Sequence, residues 1–383
     1  MTNHMKLADI GPVKEADLTF GDLTVLVGPQ ATGKSIAFQF LKLLIDTGQV
    51  KQQMTRYGLD WKGKWQDFLD AYLGEGMHSI WSPTSQIQWG GAVIAADKLA
   101  HKRNPKADEY MFLIPAQRVL ALRDGWPRPF ADYSPGDPYT VRDFSEKLRT
   151  LVEREFGQSE RLFPQKGRLK SELRKMLTAH VFGGFSLTVD KIRQQKRLVL
   201  GGIADSLPFM VWSAGQREFV PLLLGLYWLM PPTKTPRRGK IEWVVIEELE
   251  MGLHPRAITV VLLMVLELVA RGYRVCLSTH SPQVLEAVWA IQRLRESHAD
   301  ARALLKVFGA SGKSANAMQQ TAAEVLKKEL KVYYFDRQSG KTTDISGLDP
   351  ANPNAAEAAW GGLAEFSAAA NAAVAKAVAS KGN

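Results

Sequence analysis

The sequence contains a single cysteine, Cys276, among its 383 residues. One cysteine cannot form a disulfide within the chain, and it excludes a zinc site built from several cysteines. Such scarcity is typical of proteins kept in a reducing compartment, so we expect the chain to be cytoplasmic. The first residues also lack an apolar segment followed by a small-residue cleavage site, and they therefore predict no secretory signal.

Long apolar runs are missing as well. The two longest, residues 219–230 and 257–270, are shorter than the roughly 20 residues that a membrane-spanning helix needs, and the second contains Glu267. No membrane association is therefore expected. Sustained heptad repeats are also absent, which argues against a long coiled-coil arm.

Positive charge is in excess, with a formal net charge of +10 and an isoelectric point near 9.5. This excess favours acidic partners, and nucleic acid is the first of them to consider. Solvated helix faces are also commonly rich in lysine, so the composition leaves DNA contact and a plain solvated surface equally open. The clusters lie between residues 102 and 197: Lys102, Arg103, Lys106, Lys166, Arg168, Lys170, Arg174, Lys175, Lys191, Arg193, Lys196 and Arg197.

The order of apolar segments predicts an α/β fold. A buried strand at residues 243–246 is followed by a helix near 257–271 and a further strand near 275–278, the order of a parallel sheet covered by helices. We predict a core made of residues 1–60 and 205–345. Residues 61–204, where tryptophans and prolines interrupt the pattern, are predicted to be an inserted, largely helical, basic lobe, and residues 346–383 an alanine-rich tail.

A glycine-rich loop lies between the apolar strand 23–27 and the helix that begins near Ser35. Its sequence, Gly-Pro-Gln-Ala-Thr-Gly-Lys-Ser from Gly28 to Ser35, matches the phosphate-binding loop of nucleoside triphosphatases. Main-chain N–H groups at the start of a helix surround phosphates. In this pattern Gly28 and Gly33 shape the loop, Lys34 contacts the β- and γ-phosphates, and the Ser35 hydroxyl binds Mg²⁺.

Two acidic residues end the strand 243–246. Glu247 and Glu248 are placed to hold the Mg²⁺ shell and to polarise the attacking water, respectively. A surface acidic pair is the alternative interpretation, and the loop upstream makes it the weaker one.

Two further segments carry anion-binding chemistry. Residues 212–218, Trp-Ser-Ala-Gly-Gln-Arg-Glu, open a helix, and Ser213 and Gly215 are placed where free N–H groups bind an anion. Ser213 followed by Gln216 is equally the pattern of a helix cap. His280, in Ser-Thr-His-Ser-Pro directly after the strand 275–277, is placed to contact a γ-phosphate, although a lone histidine after a strand is usually structural.

Taken together, the segments GPQATGKS, SAGQRE, VVIEELEMGLHP and STHSP resemble the ABC-type ATPases of the RecF, SMC and OLD group, which includes AAA-type ATPases of bacterial anti-phage systems. The resemblance covers residues 6–60 and 205–340. It implies an ABC-type ATPase head with a mixed, mainly parallel sheet, and ATP and Mg²⁺ as ligands. It also assigns Gln117, in Ile-Pro-Ala-Gln-Arg, to the glutamine of the Q-loop.

The resemblance further implies a homodimer or larger homo-oligomer, in which Ser213 and Gly215 contact the γ-phosphate held by the other subunit. The leading functional expectation is a nucleotide-dependent switch in anti-phage defence that controls a separate effector. The alternative is an ATPase similar to RecF that clamps DNA. A transporter subunit has little support, because the LHP and STHSP contexts resemble the soluble group.

Two departures from the family pattern matter. Glu247 stands where the Walker B motif usually has Asp, and Leu249 where it usually has Pro, so slow hydrolysis is expected. OLD-like proteins often carry a nuclease that needs an Asp-x-Asp pair, and no such pair occurs in the 383 residues. We therefore expect any nuclease or toxin effector to be a separate protein.

Overall fold

A computed structural model of the protein describes residues 3–101, 107–156, 161–165, 167–192, 195–201, 206–231, 236–310 and 313–381. Five of the basic residues named above lie outside these ranges: Lys102, Arg103, Lys106, Lys166 and Arg193.

Strands and helices alternate along most of the described chain. The strands are β1 (His4–Ile10), β2 (Val13–Thr19), β3 (Leu23–Val27), β4 (Trp81–Trp89), β5 (Ala92–Val93), β6 (Met111–Ile114), β7 (Leu122–Arg123), β8 (Trp126–Pro127), β9 (Arg161–Phe163), β10 (Ser186–Ile192), β11 (Gln195–Gly201), β12 (Ser206–Pro208), β13 (Trp243–Ile246), β14 (Arg274–Thr279), β15 (Leu330–Phe335) and β16 (Thr342–Asp344). The helices are α1 (Lys34–Arg56), α2 (Trp65–Leu73), α3 (Ala96–Ala100), α4 (Tyr139–Thr150), α5 (Ser171–Leu177), α6 (Ala214–Leu229), α7 (Pro255–Ala270), α8 (Pro282–Glu296), α9 (Ala301–Val307), α10 (Lys313–Val325), α11 (Ala355–Ala358) and α12 (Glu365–Lys381). Short 3₁₀ turns and two π-helical turns, Leu151–Glu155 and Thr178–Phe182, connect some of them.

Six strands form the central sheet, in the order β16-β15-β3-β14-β13-β6. Five of them, from β15 to β6, run parallel to each other, and the edge strand β16 is antiparallel. The runs Leu23–Val27 and Trp243–Ile246 are buried along their whole length, as is usual for parallel strands that are covered on both faces. Because the strands are parallel, the loops that follow β3, β14, β13 and β6 all begin at one edge of the sheet.

Each face of the central sheet packs in its own core. Val244 and Ile246 point into a core shared with α6 and α7, whereas Val245 points into a core shared with α1 and with strands β1 and β2. This alternation is the ordinary geometry of a strand, in which successive side chains face opposite sides. The second core is closed by an antiparallel sheet in the order β2-β1-β4-β5.

The interval 61–204, predicted to be an inserted, largely helical, basic lobe, contains strands as well as helices. In its middle, Met111–Ile114 forms β6 and completes the central sheet beside β13. Four successive buried apolar residues suit a strand that is covered on both faces. Strands β9 to β12 form a further antiparallel sheet. Residues 111–114 of this interval therefore belong to the central sheet.

A buried ion network connects α1 to the start of β6. The Lys42 ammonium lies 2.7 Å from Asp46 Oδ2 and 2.9 Å from Glu109 Oε1. Asp46 also accepts hydrogen bonds from the main-chain N–H groups of Tyr110 and Met111, at 2.8 and 3.0 Å. These contacts hold β6, and therefore the loop that follows it, in a set position relative to the helix that begins at the glycine-rich loop.

The alanine-rich tail ends in a helix, as its composition predicts. Helix α12 is exposed along nearly all of its length, and the side chain of Phe366 is 84% exposed. No helix in the described part of the chain is both long enough and apolar enough to cross a bilayer.

Candidate functional site

The glycine-rich loop curls between the end of β3 and the start of α1. Gly28 and Gly33 both have positive φ, of 145° and 97°. A Cβ on Gly28 would lie 2.4 Å from the Phe335 carbonyl oxygen, and one on Gly33 would lie 2.2 Å from Val13 Cγ2. Both positions therefore require glycine, for conformational and for steric reasons. Helix α1 begins at Lys34, so the free N–H groups of its first turn face the loop.

Lys34 lies in this loop with its ammonium turned inward. Its Nζ donates hydrogen bonds to the carbonyl oxygens of Gly28 and Pro29, at 2.8 and 2.7 Å. Burial lowers the pKa of Lys34 to about 8, an effect opposed by the nearby carboxylate of Glu248. The ammonium is thus held in a low-dielectric loop where an incoming polyanion would be strongly attracted.

Glu247 directly follows β13 and is 1% exposed. Its Oε2 accepts a hydrogen bond from the Ala116 N–H at 3.0 Å. Burial raises the pKa of Glu247, while hydrogen bonds from Ala116 and from the Ser35 hydroxyl lower it. The loop serine and the first acidic residue of the strand end are therefore neighbours, as the sequence pattern predicts.

Glu248 and His280 face each other across two adjacent strand ends. His280 Nε2 lies 3.7 Å from Glu248 Oε1. Burial lowers the pKa of His280, and the positive charge of Lys34 lowers it further, so the imidazole is neutral at pH 7. The charge of Glu248 acts on the pKa of Lys34, and the charges of both residues act on the pKa of His280, so these three residues lie in one cluster.

Three buried polar atoms at this edge have no hydrogen-bond partner: Glu247 Oε1, Glu250 Oε2 and His280 Nε2. Unsatisfied buried polar atoms are rare in folded proteins and often mark the place of a ligand or ion. Among the described residues, no group of three or more His, Cys, Asp or Glu side chains could hold a metal ion alone. This suits Mg²⁺, which usually binds one or two protein oxygens together with phosphates and water. Ser35 and Glu247 fit that role.

Gln117 follows β6 at the same edge of the sheet, and its side chain is exposed. In the short segment between β6 and Gln117, the Ala116 N–H donates a hydrogen bond to Glu247. The position next to the strand end of Glu247 and Glu248 is compatible with the nucleotide-contacting role that the family resemblance assigns to Gln117.

Ser213 and Gly215 lie at the exposed N-terminus of α6. Ser213 Oγ accepts a hydrogen bond from the Gln216 N–H at 3.2 Å, and the Gln216 side chain accepts one from the Ser213 N–H at 3.0 Å. This is a capping box, the alternative that the sequence left open. A Cβ on Gly215 would lie 2.7 Å from the Gly252 carbonyl oxygen, so glycine permits α6 to approach the segment after β13.

Three residues near this edge were not assigned from the sequence. Glu250 accepts a hydrogen bond from the His280 N–H. Ser278 Oγ accepts one from the Glu248 N–H. Arg118 donates to the main-chain carbonyls of Glu247 and Glu248. Each contact joins residues about 30 or 130 positions apart. The third acid in Glu-Glu-Leu-Glu and the arginine after Gln117 were the only local signals for two of them.

Some of the basic residues between positions 102 and 197 make contacts within the fold. Arg168 is buried and donates to the Tyr227 carbonyl at 2.8 Å and to Glu155 at 2.6 Å. Lys170 pairs with Glu267 at 2.9 Å. The positive charge of these two residues is therefore largely used within the fold.

The pKa of Lys34 leads to a prediction about ATP affinity. The phosphates of a bound nucleotide favour the ammonium, so the affinity of the protein for ATP should be constant between pH 7 and 8. Above about pH 8 it should fall roughly tenfold per pH unit as free Lys34 loses its proton. Calorimetry at pH 9 in buffers of different ionisation enthalpy should show uptake of about one proton per ATP bound. A flat affinity up to pH 9.5 with no proton uptake would contradict this assignment.

Comparison with known proteins adds one family match. The family described as "AAA domain, putative AbiEii toxin, Type IV TA system" matches residues 134–286, a span that includes Ser213, Glu247, Glu248 and His280 but not the glycine-rich loop. No curated protein matches the chain. The AAA match and the parallel sheet with its glycine-rich loop confirm the predicted α/β fold of a P-loop NTPase and support a nucleotide-binding ATPase.

Solved structures that match include two SMC heads. The head bound to the C-terminal winged-helix domain of ScpA is 10% identical, with a TM-score of 0.40 over 73% of this chain and 89% of that one. The SMC head domain from Thermotoga maritima is 11% identical, with a TM-score of 0.30 over 74% of this chain and 91% of that one. Both TM-scores are below 0.5, and these likenesses support no further conclusion.

Proposed function

We propose that the chain binds ATP with Mg²⁺ at this edge of the sheet and hydrolyses it. The observation that supports the proposal is the convergence of Lys34, Ser35, Glu247, Glu248 and His280 at the carboxyl ends of three adjacent parallel strands. The carboxyl edge of an α/β sheet is where such folds bind their ligands.

Each residue has a role that its surroundings allow. Lys34 exchanges its two carbonyl contacts for the β- and γ-phosphates, and the first N–H groups of α1 bind the same phosphates. Ser35 and Glu247 would hold Mg²⁺, and the ion would supply positive charge beside the phosphates. Glu248 orients a water and takes its proton. His280 is neutral, so its free Nε2 either donates to a γ-phosphate oxygen or accepts from that water, according to its tautomer.

We further infer that the site is completed by a second copy of the chain. The N-terminus of α6 is exposed, and its first N–H groups, on Ala214 and Gly215, lie before the first bond within the helix. The capping box occupies the Ser213 oxygen as an acceptor but leaves its hydroxyl hydrogen free to donate. A phosphate held by a partner subunit is a suitable ligand for this group of donors.

Mixing two inactive variants tests the shared site. Ser213→Arg removes the hydroxyl donor of α6, and its long side chain blocks access to the Ala214 and Gly215 N–H groups. Lys34→Ala removes the phosphate contact of the glycine-rich loop, so each variant alone should lack ATPase activity. A mixed dimer keeps one site with an intact loop from one subunit and an intact α6 from the other. About a quarter of the wild-type rate per subunit is expected in a random mixture, because half of the dimers are mixed and each of these has one working site of two.

Subunit exchange is verified first, by pulling down one tagged variant with the other. If the exchanged mixture is as inactive as its parents, the shared-site proposal fails or both sites must act together. If the protein stays monomeric and has full ATPase activity at every concentration, the site lies within one chain.

We propose that this ATPase acts as a switch in anti-phage defence that controls a separate effector. The motif resemblance supports this proposal, and so does the match to a family described as a putative AbiEii toxin of a type IV toxin–antitoxin system. A neighbouring nuclease or toxin gene whose product binds the ATP-bound chain would support it.

Tight duplex DNA binding by the chain alone, falling steeply with salt, would instead favour the DNA-clamping alternative. The internal ion pairs of Arg168 and Lys170 weaken that alternative.

A further inference from the structure

Arg118 lies in the first turn after β6 and connects two motifs of the proposed site. Its side chain is 0% exposed. Its Nη1 donates to the Glu247 carbonyl at 2.9 Å, its Nη2 to the Glu248 carbonyl at 3.1 Å, and its Nε to the Glu218 carbonyl at 3.2 Å. One guanidinium therefore holds the strand end that carries the predicted base and also the second turn of α6.

This use of an arginine is unusual for a buried charge. Buried arginines are normally paired closely with a carboxylate, whereas the nearest carboxylate oxygen, Glu218 Oε2, is 3.6 Å from Arg118 Nε. Burial lowers the pKa of Arg118, and the surrounding glutamates oppose that effect. The guanidinium group thus donates its hydrogen bonds to main-chain carbonyls. These bonds fix the positions of the peptides instead of neutralising the charge of one carboxylate.

The peptide that Arg118 holds has a strained conformation. Glu248 has φ of 44°, in the left-handed region that residues other than glycine rarely adopt. Two side chains secure it, because Ser278 Oγ accepts from the Glu248 N–H at 3.1 Å and Arg118 donates to its carbonyl. Strain of this kind is retained where the surroundings enforce it, and it aims the Glu248 side chain toward His280.

The other end of the connection is helix α6. Glu218 lies one turn beyond the exposed capping box at Ser213, and Gly215 of the same helix packs against Gly252, just after Glu248. The N-terminus of α6 and the strand end after β13 are therefore in contact twice, once through small residues and once through Arg118.

We propose that Arg118 is a positioning residue: it anchors the peptide of Glu248 to α6. The Glu248 base is therefore correctly placed only when α6 is itself in the correct position. This inference rests on the proposed ATPase function and deepens it. In the dimer, α6 of one subunit faces the nucleotide bound by the other subunit. Docking of α6 against that nucleotide would then position the Glu248 base of the subunit to which α6 belongs, which serves the second site.

The test is a double-mutant cycle between Arg118→Lys and Glu248→Gln. Lysine keeps the charge, but its single nitrogen cannot reach the three carbonyls that the guanidinium fork spans. We expect the Arg118→Lys variant to lose at least about tenfold in kcat, since small misplacements of catalytic groups are costly, while its Kd for ATP changes less than about threefold. In the Glu248→Gln background, where the base is absent, the same change should have no further effect on single-turnover hydrolysis of radiolabelled ATP.

Arg142→Lys is the matched control, because Arg142 is also a buried arginine that donates to a main-chain carbonyl, that of Ser134, but its guanidinium contacts Ser134 and Phe130 instead of the strand end and α6. It should lower thermal stability without lowering kcat. If Arg118→Lys does not fold, Ser278→Ala replaces it in the cycle, since it removes the other contact that secures the Glu248 peptide.

The outcomes separate the two proposals. Wild-type kcat in Arg118→Lys, or a loss that adds fully to that of Glu248→Gln, overturns the positioning role and leaves the ATPase function intact. Absence of ATP hydrolysis by the wild-type chain overturns the proposed function itself.

Discussion

Replacing Glu248 by glutamine is expected to lower the rate of ATP hydrolysis by about a hundredfold or more while ATP remains bound. The amide has the shape of the carboxylate but cannot accept a proton from water, and general-base catalysis is typically worth about 10² to 10⁴ in rate. The contacts that place residue 248 use its main chain, so the substitution should leave them unchanged. Size-exclusion chromatography with ATP should then show an assembly that persists without turnover.

Glu242→Gln is the matched control for this substitution. Glu242 is exposed and lies immediately before β13, at the opposite end of the same strand, so its replacement removes the same charge from the same element. It should hydrolyse ATP at the wild-type rate. If Glu248→Gln also does so, the base lies elsewhere and Glu247 becomes the candidate.

Replacing Lys34 by alanine is expected to weaken ATP binding by at least about a hundredfold. The substitution removes charge-assisted hydrogen bonds to two phosphates, each worth about 1.5–3 kcal/mol, from a loop where water screens charge poorly. Titration calorimetry with Mg²⁺ and ATP measures the change directly.

Lys175→Ala serves as the control for loss of positive charge, because Lys175 is exposed and pairs only loosely with Glu172, at 3.2 Å. Its affinity for ATP should match that of the wild type. An unchanged affinity in Lys34→Ala would remove Lys34 from the nucleotide site and, with it, the role given to the whole glycine-rich loop.

The parts of the site that were predictable are those encoded by short spacings. Lys34 must follow Gly33 at the start of a helix, and Glu247 must follow an apolar strand, so both positions are readable from eight or fewer residues. The parallel order of strands then brings them to one edge without further information. Ser213 followed by Gln216 likewise predicts the capping box that the structure contains.

The parts that were not predictable depend on contacts between distant residues. Arg118 and Glu247 are 129 positions apart, and Ser278 and Glu248 are 30 apart. No local sequence pattern therefore predicts either hydrogen bond. In the middle of the chain, β6 is only four residues long and β9 is three, too short for periodicity to distinguish from a loop. The sequence pattern loosens there because packing, rather than local preference, decides the structure.

The order of strands in the central sheet has a consequence for how the protein matures during synthesis. Strand β3, which leads into the glycine-rich loop, pairs with β14 and β15, and Thr19, just before it, bonds to Tyr333, 314 residues later in the chain. The ribosome adds about 5 to 20 residues per second, so the emerging N-terminal segment must wait many seconds for its neighbours. A nascent chain that ends before β15 would therefore expose apolar strand edges, and it would depend on chaperones until β15 has been synthesised.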